Sequence, residues 1–138
     1  MTPEIKDIPV LNVLPQRPPF IFISRMLHYD DSSMITETEI YRDDFDECDL
    51  IENIAQTCAA RIGYYNKYIA LRDISIGYIG AVRQLDILRL PHLGETIQTS
   101  ILIKSTAFGL SLADAIIKGA DGQIIAEGEM KIALQDKE

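Results

Sequence analysis

Residues 49–65 read DLIENIAQTCAARIGYY, and within that run Glu52 and Gln56 have the types and spacing that could do chemistry. Four residues apart on a helix, they stand one turn from each other on the same face. A carboxyl group there can give or take a proton, and both side chains need a reason if they point inward. The rest of the run is small or apolar. Ile51, Ile54, Ala55, Cys58, Ala59 and Ile62 recur at helical spacing, while Ala60 and Gly63 keep the other faces slim, so the helix is expected to be covered on several sides. A carboxylate is costly to bury without a partner, and an inward-facing Glu52 therefore calls for a functional reason.

The same residues admit a second reading. Asp49, three positions before Glu52, fits a capping box in which Asp49 is the N-cap and Glu52 reaches back to its amide. Glu52 would then be partly exposed near the positive helix end, with no catalytic duty. Residue types alone leave both readings open.

The elements that must position this helix follow from the remaining pattern. Residues 3–14 are expected as a short amphipathic helix through Ile5, Ile8, Val10, Leu11 and Leu14, halted by Pro15. Residues 20–29, directly after Pro18 and Pro19, are rich in β-formers and predict a first strand. Residues 33–42 alternate, with Met34, Thr36, Thr38 and Ile40 on one side and Ile35, Glu37, Glu39 and Tyr41 on the other, which completes a hairpin. The acidic stretch DDFDECD leads into the helix. Residues 74–90 predict a long strand in which Gly77 and Gly80 allow a bulge or bend, and PHLGE supplies the next turn. Three further strands complete a meander: residues 95–105 with Ile97, Thr99, Ile101 and Ile103 on one side, residues 110–118, and residues 123–134 with Ile124, Ala126, Gly128, Met130, Ile132 and Leu134 on one side. Two strands, one apolar helix and several long antiparallel strands make an α+β chain whose sheet must wrap the helix.

Composition narrows the function classes. The 138 residues suit a single domain, and 47% hydrophobic content is ordinary for a globular chain. Thirteen basic against twenty-one acidic residues leave a net charge of −8, which argues against nucleic acid and anionic membranes as general partners. The start lacks a basic segment and apolar core, and no run is long and apolar enough to span a bilayer, so a cytoplasmic chain is expected. Cys48 and Cys58 lie ten apart, too far along a straight helix to bridge, and no Cys/His spacing suggests a metal. Both thiols are expected to be reduced, with Cys58 packing as a small hydrophobe.

The stretches LPQRPPFIFISRML, LIENIAQTCAARIGYY and GYIGAVRQLDILRLPHLGETI together resemble the hotdog-fold (3R)-hydroxyacyl-acyl-carrier-protein dehydratases. They resemble more closely the divergent relatives of those enzymes from aryl-polyene-type biosynthesis clusters. The likeness runs from about residue 14 to residue 134, with the Leu-Pro-x-Arg-x-Pro-Phe and Glu-x-x-Ala-Gln motifs in order. It implies an antiparallel sheet wrapped around one central helix, and a homodimer whose two sheets join. It also implies acyl thioesters carried on the phosphopantetheine of acyl carrier protein or CoA, with no cofactor of the protein's own. By that resemblance the reaction is a lyase step of fatty-acid or polyene-type biosynthesis. Glu52 matches the family's catalytic acid and Gln56 the glutamine that positions it, while a histidine takes the C2 proton and helix-start N–H groups polarise the thioester carbonyl.

The sequence departs from that pattern at the base. The family's His-Phe-Pro-Gly-His-Pro-like loop is replaced by DDFDECD, and the histidine of the divergent relatives' Leu-Pro-His-Arg is Gln16. Gln16 lacks useful basicity, although it could hydrogen-bond a thioester or Glu52. The remaining histidines, His28 and His92, lie at a strand end and in a turn, and Asp44, Asp46 and Asp49 read first as capping and solvation. Arg17 could bind a phosphopantetheine phosphate or pair with a carboxylate. An acidic carrier would need a local basic patch, for which Arg61, Lys67, Arg72, Arg83 and Arg89 are the candidates. Two function classes follow: a dehydratase or hydratase (less directly a thioesterase) using Glu52, and a non-catalytic acyl-binding protein or partner subunit in a heterodimer with an active hotdog chain.

Overall fold

The computed structural model describes residues 3–71 and 78–134. Six antiparallel strands are β1 (Arg25–Asp30), β2 (Ser33–Glu39), β3 (Tyr78–Ile87), β4 (Thr96–Ala107), β5 (Leu110–Lys118) and β6 (Ile124–Leu134), and they form one sheet in the order β1-β2-β4-β5-β6-β3. A single long helix, α1 (Glu47–Tyr64), continues into a π-helical turn, Tyr65–Ile69. The α+β hotdog arrangement expected from the sequence is the one observed, and no described helix is long and apolar enough to cross a membrane.

Period-two patterning decides which sheet face meets the helix. Met34, Thr36, Thr38 and Ile40 are buried on one side of β2 and its extension, and Ile97, Thr99 and Ile101 on β4. The inward positions of β5 and β6 are mostly small, with Ala113, Ala115 and Ala126 buried beside Ile54 and Cys58 of α1 in one core cluster. Small residues on the sheet leave room for the helix barrel to settle into it. A bulge between Val82 and Gln84 shifts the β3–β6 register, and Gly128 faces it: a Cβ there would come within 2.0 Å of the Gln84 carbonyl oxygen.

Several local expectations are corrected. The amphipathic helix of residues 3–14 is instead two short 3-10 turns, Ile5–Asp7 and Val10–Asn12, because Pro9 sits between them and cannot donate to a continuing helix. The first strand begins at Arg25 rather than residue 20, since residues 20–22 bond to helix side chains instead of a strand. The bulge in β3 is at Val82/Gln84 and not at Gly80; Gly77, with residues 74–76, lies outside the described residues. Ile124 is 37% exposed while Ile125 is buried, because the β5–β6 register shifts between Ile117 and Lys118.

The first fourteen residues are nonetheless part of the core. Ile8, Val10, Val13 and Leu14 form a second buried cluster with Ala59, Ala60 and Tyr64 of α1 and with Met26 and Met34 of the hairpin. The approach is close enough to require glycine, since a Cβ on Gly63 would lie 1.9 Å from the Val13 carbonyl oxygen. In an open helix Gly→Ala stabilises by about 1 kcal/mol. Here Gly63→Ala is expected to destabilise by about 2 kcal/mol, because backbone must move to admit the methyl. A rise in the urea midpoint of the variant would contradict that packing.

The turn after β3 is held by an ion pair. Arg89 meets Glu95 at 2.6 Å, and Glu95 also accepts the amides of His92 and Ala120. The guanidinium chiefly, with those two amides, lowers the Glu95 carboxyl from 4.5 to about 2, against the opposing effect of burial. The folded pKa lies below the unfolded one, so this stabilisation is present above about pH 4.5 and lost as pH falls toward 2. Urea midpoints measured across that window should fall more steeply for the native chain than for Glu95→Gln.

Candidate functional site

The helix start is capped one turn earlier than the sequence suggests. Asp46 is the N-cap: its Oδ1 accepts the Asp49 amide at 3.1 Å, and Asp49 Oδ2 accepts the Asp46 amide at 3.0 Å. Phe45, buried just before the cap, fixes this start against the core. The capping reading of Glu52 is thereby corrected, because Asp49 occupies the position that would reach back and Glu52 falls in the second turn. Asp46 also consumes the Asp49 N–H. Asp49 pairs with Arg42 at 3.1 Å, and the Arg42 guanidinium stands 5.8 and 5.9 Å from the rings of Phe22 and Phe45.

Glu52 is partly buried, and Gln56 Nε2 donates to its Oε1 at 3.3 Å. Gln56, fully buried, is locked in turn. Its Nε2 donates to the Phe20 carbonyl at 2.7 Å and its Oε1 accepts the Phe22 amide at 2.8 Å. The amide cannot flip without exchanging a donor for an acceptor at both main-chain contacts, so the segment before β1 determines which atom faces Glu52. The predicted Glu52–Gln56 pairing is thus present in the geometry.

Asn53 is the residue that sequence reasoning missed. Its Nδ2 donates to the Phe22 carbonyl at 2.6 Å and to Thr38 Oγ1 at 2.9 Å, while its Oδ1 accepts the Thr99 hydroxyl. Thr57, one turn on, donates to the Asn53 carbonyl at 2.8 Å and meets Thr36 Oγ1 at 2.8 Å. Asn53, Thr57, Thr36 and Thr99 have no solvent exposure. The signal was available: threonines alternate with Met34, Ile40, Ile97 and Ile101 on inward strand positions, and a helix facing them needs polar partners.

Among the described residues, the other sequence candidates make no hydrogen bond or ion pair with Glu52 or Gln56. Arg17 Nη1 donates to the carbonyls of Leu11, Leu14 and Gln16, which ties down the chain before β1. Gln16 is partly buried, and its Oε1 is a buried side-chain atom with no hydrogen-bond partner among the described residues. His28 pairs with Asp30 at 3.0 Å on the exposed surface, and this contact first, then the Ser32 amide, holds the Asp30 carboxyl well below its ordinary range. His92 lies exposed in the turn before β4. Neither histidine bonds to Glu52 or Gln56. Of the basic candidates, Arg83 pairs with Glu129, Arg89 with Glu95, Arg61 donates to the Asp31 carbonyl, and Lys67 Nζ stands 6.0 Å from the Tyr68 ring. Arg72 lies outside the described residues. Cys48 is exposed and Cys58 buried, and they form no disulfide.

No protein-family model and no curated protein matches the chain. Solved structures do. The dehydratase heterocomplex ApeI:P from Xenorhabdus doucetiae superposes with a TM-score of 0.73 at 16% identity, covering 94% of this chain and 93% of that one. Protein smu.793 from Streptococcus mutans UA159, bound to acetyl CoA, superposes at 0.66 with 14% identity, over 91% of this chain and 98% of the other. A hypothetical thioesterase with coenzyme A from Streptococcus pneumoniae TIGR4 superposes at 0.62 with 12% identity, over 82% and 86%. At these identities the likeness is one of fold, and the fold is the hotdog.

Proposed function

We propose that the chain is a hotdog acyl-thioester protein of the cytosol and that Glu52 is its acid and base, acting on a (3R)-hydroxyacyl or trans-2-enoyl thioester. The observation that carries this reading is the pairing of Glu52 with a glutamine locked at both ends of its amide, in a helix whose cap is made by other residues. A carboxylate that neither caps nor forms a salt bridge among the described residues, yet is oriented by a buried amide, has the arrangement of a working group. In dehydration the carboxylate would take the C2 proton and return a proton to the C3 hydroxyl as it leaves as water, with the C2–H electron pair forming the C2–C3 double bond. Hydration is the reverse. Gln16, with its unmet acceptor, is suited to a donor brought by the substrate or by a second chain. The carrier in this reading is acyl carrier protein or CoA, and the working unit a homodimer.

A second reading is favoured by a specific observation: His28 is taken up by Asp30 and His92 lies in an exposed turn, so neither serves Glu52 as a base. In that case the chain binds acyl thioesters without turnover, or lends its site to an active hotdog partner, a heterocomplex being the form of the Xenorhabdus doucetiae dehydratase ApeI:P. The experiment is hydration of trans-2-enoyl thioesters on carrier protein and on CoA by the purified chain at several protein concentrations, followed by loss of enoyl absorbance. Turnover supports the enzyme; bound thioester without turnover transfers the chain to the second reading.

A further inference from the structure

Both main-chain groups of Phe22 are bonded to side chains of α1. Its N–H donates to Gln56 Oε1 at 2.8 Å, and its carbonyl accepts Asn53 Nδ2 at 2.6 Å and, more weakly, Thr38 Oγ1 at 3.3 Å. Asn53 and Gln56 stand three positions apart on one helix face, so between them two amides hold the N–H and the C=O of a single residue. Gln56 Nε2 has two hydrogens to give. The Phe20 carbonyl takes one at 2.7 Å, which leaves the other for Glu52 Oε1 at 3.3 Å. That last contact is long for an N–H···O bond, so a shift of a few tenths of an ångström decides whether Glu52 is held.

Asn53 has one orientation open to it. The Phe22 carbonyl only accepts, so Nδ2 must face it; the second Nδ2 hydrogen goes to Thr38, and Oδ1 receives the Thr99 hydroxyl. Strands β2 and β4 therefore set where the Asn53 amide lies, and that amide sets where the Phe22 carbonyl lies. A buried amide adds little stability that apolar groups of the same shape would not supply. What it adds is direction, because a hydrogen bond fixes the Phe22 peptide at one height along the helix.

We propose that Asn53 is a positioning residue for Glu52: through the main chain of Phe22 it places the Gln56 amide that holds the carboxyl. The inference rests on the reading above in which Glu52 is the acid and base. Among the described residues, the Asn53 side chain bonds to neither Glu52 nor the Gln56 side chain. Its influence passes through Phe22, which Asn53 holds by the carbonyl and Gln56 by the amide.

The test is Asn53→Asp in the intact chain, followed across pH. The groups bonded to Asn53, the Phe22 carbonyl and the Thr38 and Thr99 hydroxyls, do not titrate, and burial raises the pKa of the introduced carboxyl. Protonated, at about pH 5, that carboxyl has a hydroxyl for the Phe22 carbonyl and an acceptor for Thr99, as the amide does. Ionised, by about pH 9, it can only accept and repels the Phe22 carbonyl. The kcat for enoyl-thioester hydration, taken as a ratio to the native chain at each pH, is expected to fall about tenfold or more between those limits. KM should change less than about twofold, and the Gln56 side-chain amide signals in NMR should move over the same range. Thr38→Val, which takes the weaker donor from the Phe22 carbonyl, should lower kcat about threefold, and Thr38→Ser should restore it. A fall in stability alone, with the kcat ratio and the Gln56 signals unmoved, overturns the inference and leaves Glu52 its role. If Asn53→Asp unfolds before its carboxyl ionises, equal kcat for Thr38→Val and Thr38→Ser overturns it. A native chain without turnover overturns the acid–base reading instead, and the Gln56 signals still decide whether Asn53 places that amide.

Discussion

Glu52→Gln is expected to lower enoyl-thioester hydration about a thousandfold, within the range for loss of a general acid–base group, while the urea midpoint stays in place. The two halves of that expectation separate the two roles a carboxylate near a helix start can have. Had Glu52 been the capping residue, its loss would cost about 1 kcal/mol and leave chemistry alone. The cap is instead Asp46, closed by Asp49, so Asp46→Ala should carry the stability cost and keep its turnover. The glutamine retains an acceptor for the Gln56 amide, and the geometry around it should survive. A Glu52→Gln protein with undiminished turnover would remove Glu52 from the reaction altogether.

The largest loss of stability is expected from Asn53→Ala, about 4 kcal/mol by chemical denaturation. The alanine would strand the Thr99 hydroxyl and remove a donor from Thr38, both with little or no access to water, and take one of two donors from the Phe22 carbonyl. Each buried polar group left without its partner costs about 1–3 kcal/mol. A loss below about 1 kcal/mol would mean that water or a shifted side chain replaces Asn53, and the network would then not be what fixes the helix against β2 and β4.

The overall plan was legible because it is written in periodicity. β5 was delimited to the residue, and the inward face of β2 and β4 could be read from Met34, Thr36, Ile97 and Ile101. The cap was misplaced because Asp46, Asp49 and Glu52 repeat an acidic residue every third position, and local rules cannot choose between two overlapping boxes. Packing chose: with Phe45 buried, the turn must begin directly after it. The segment at residues 20–24 looked like a strand because its composition is that of one. Over residues 20–22 helix side chains take the place of a neighbouring strand, and main-chain pairing with β2 starts at the Ser24 amide. Glu52 and Gln56 were legible by type and spacing, whereas Asn53 was hidden inside the same run, since a buried asparagine is recognisable only once the threonines that face it are known.

The close seat of Val13 on Gly63 has a consequence for the chain as it is made. The apolar strap of Ile8, Val10, Val13 and Leu14 is synthesised about fifty residues before the helix surface that covers it. At about 5–20 residues per second, those side chains wait several seconds for their cover. During that interval they are a natural hold for chaperones, and the strap should stay open to protease until the helix has been made.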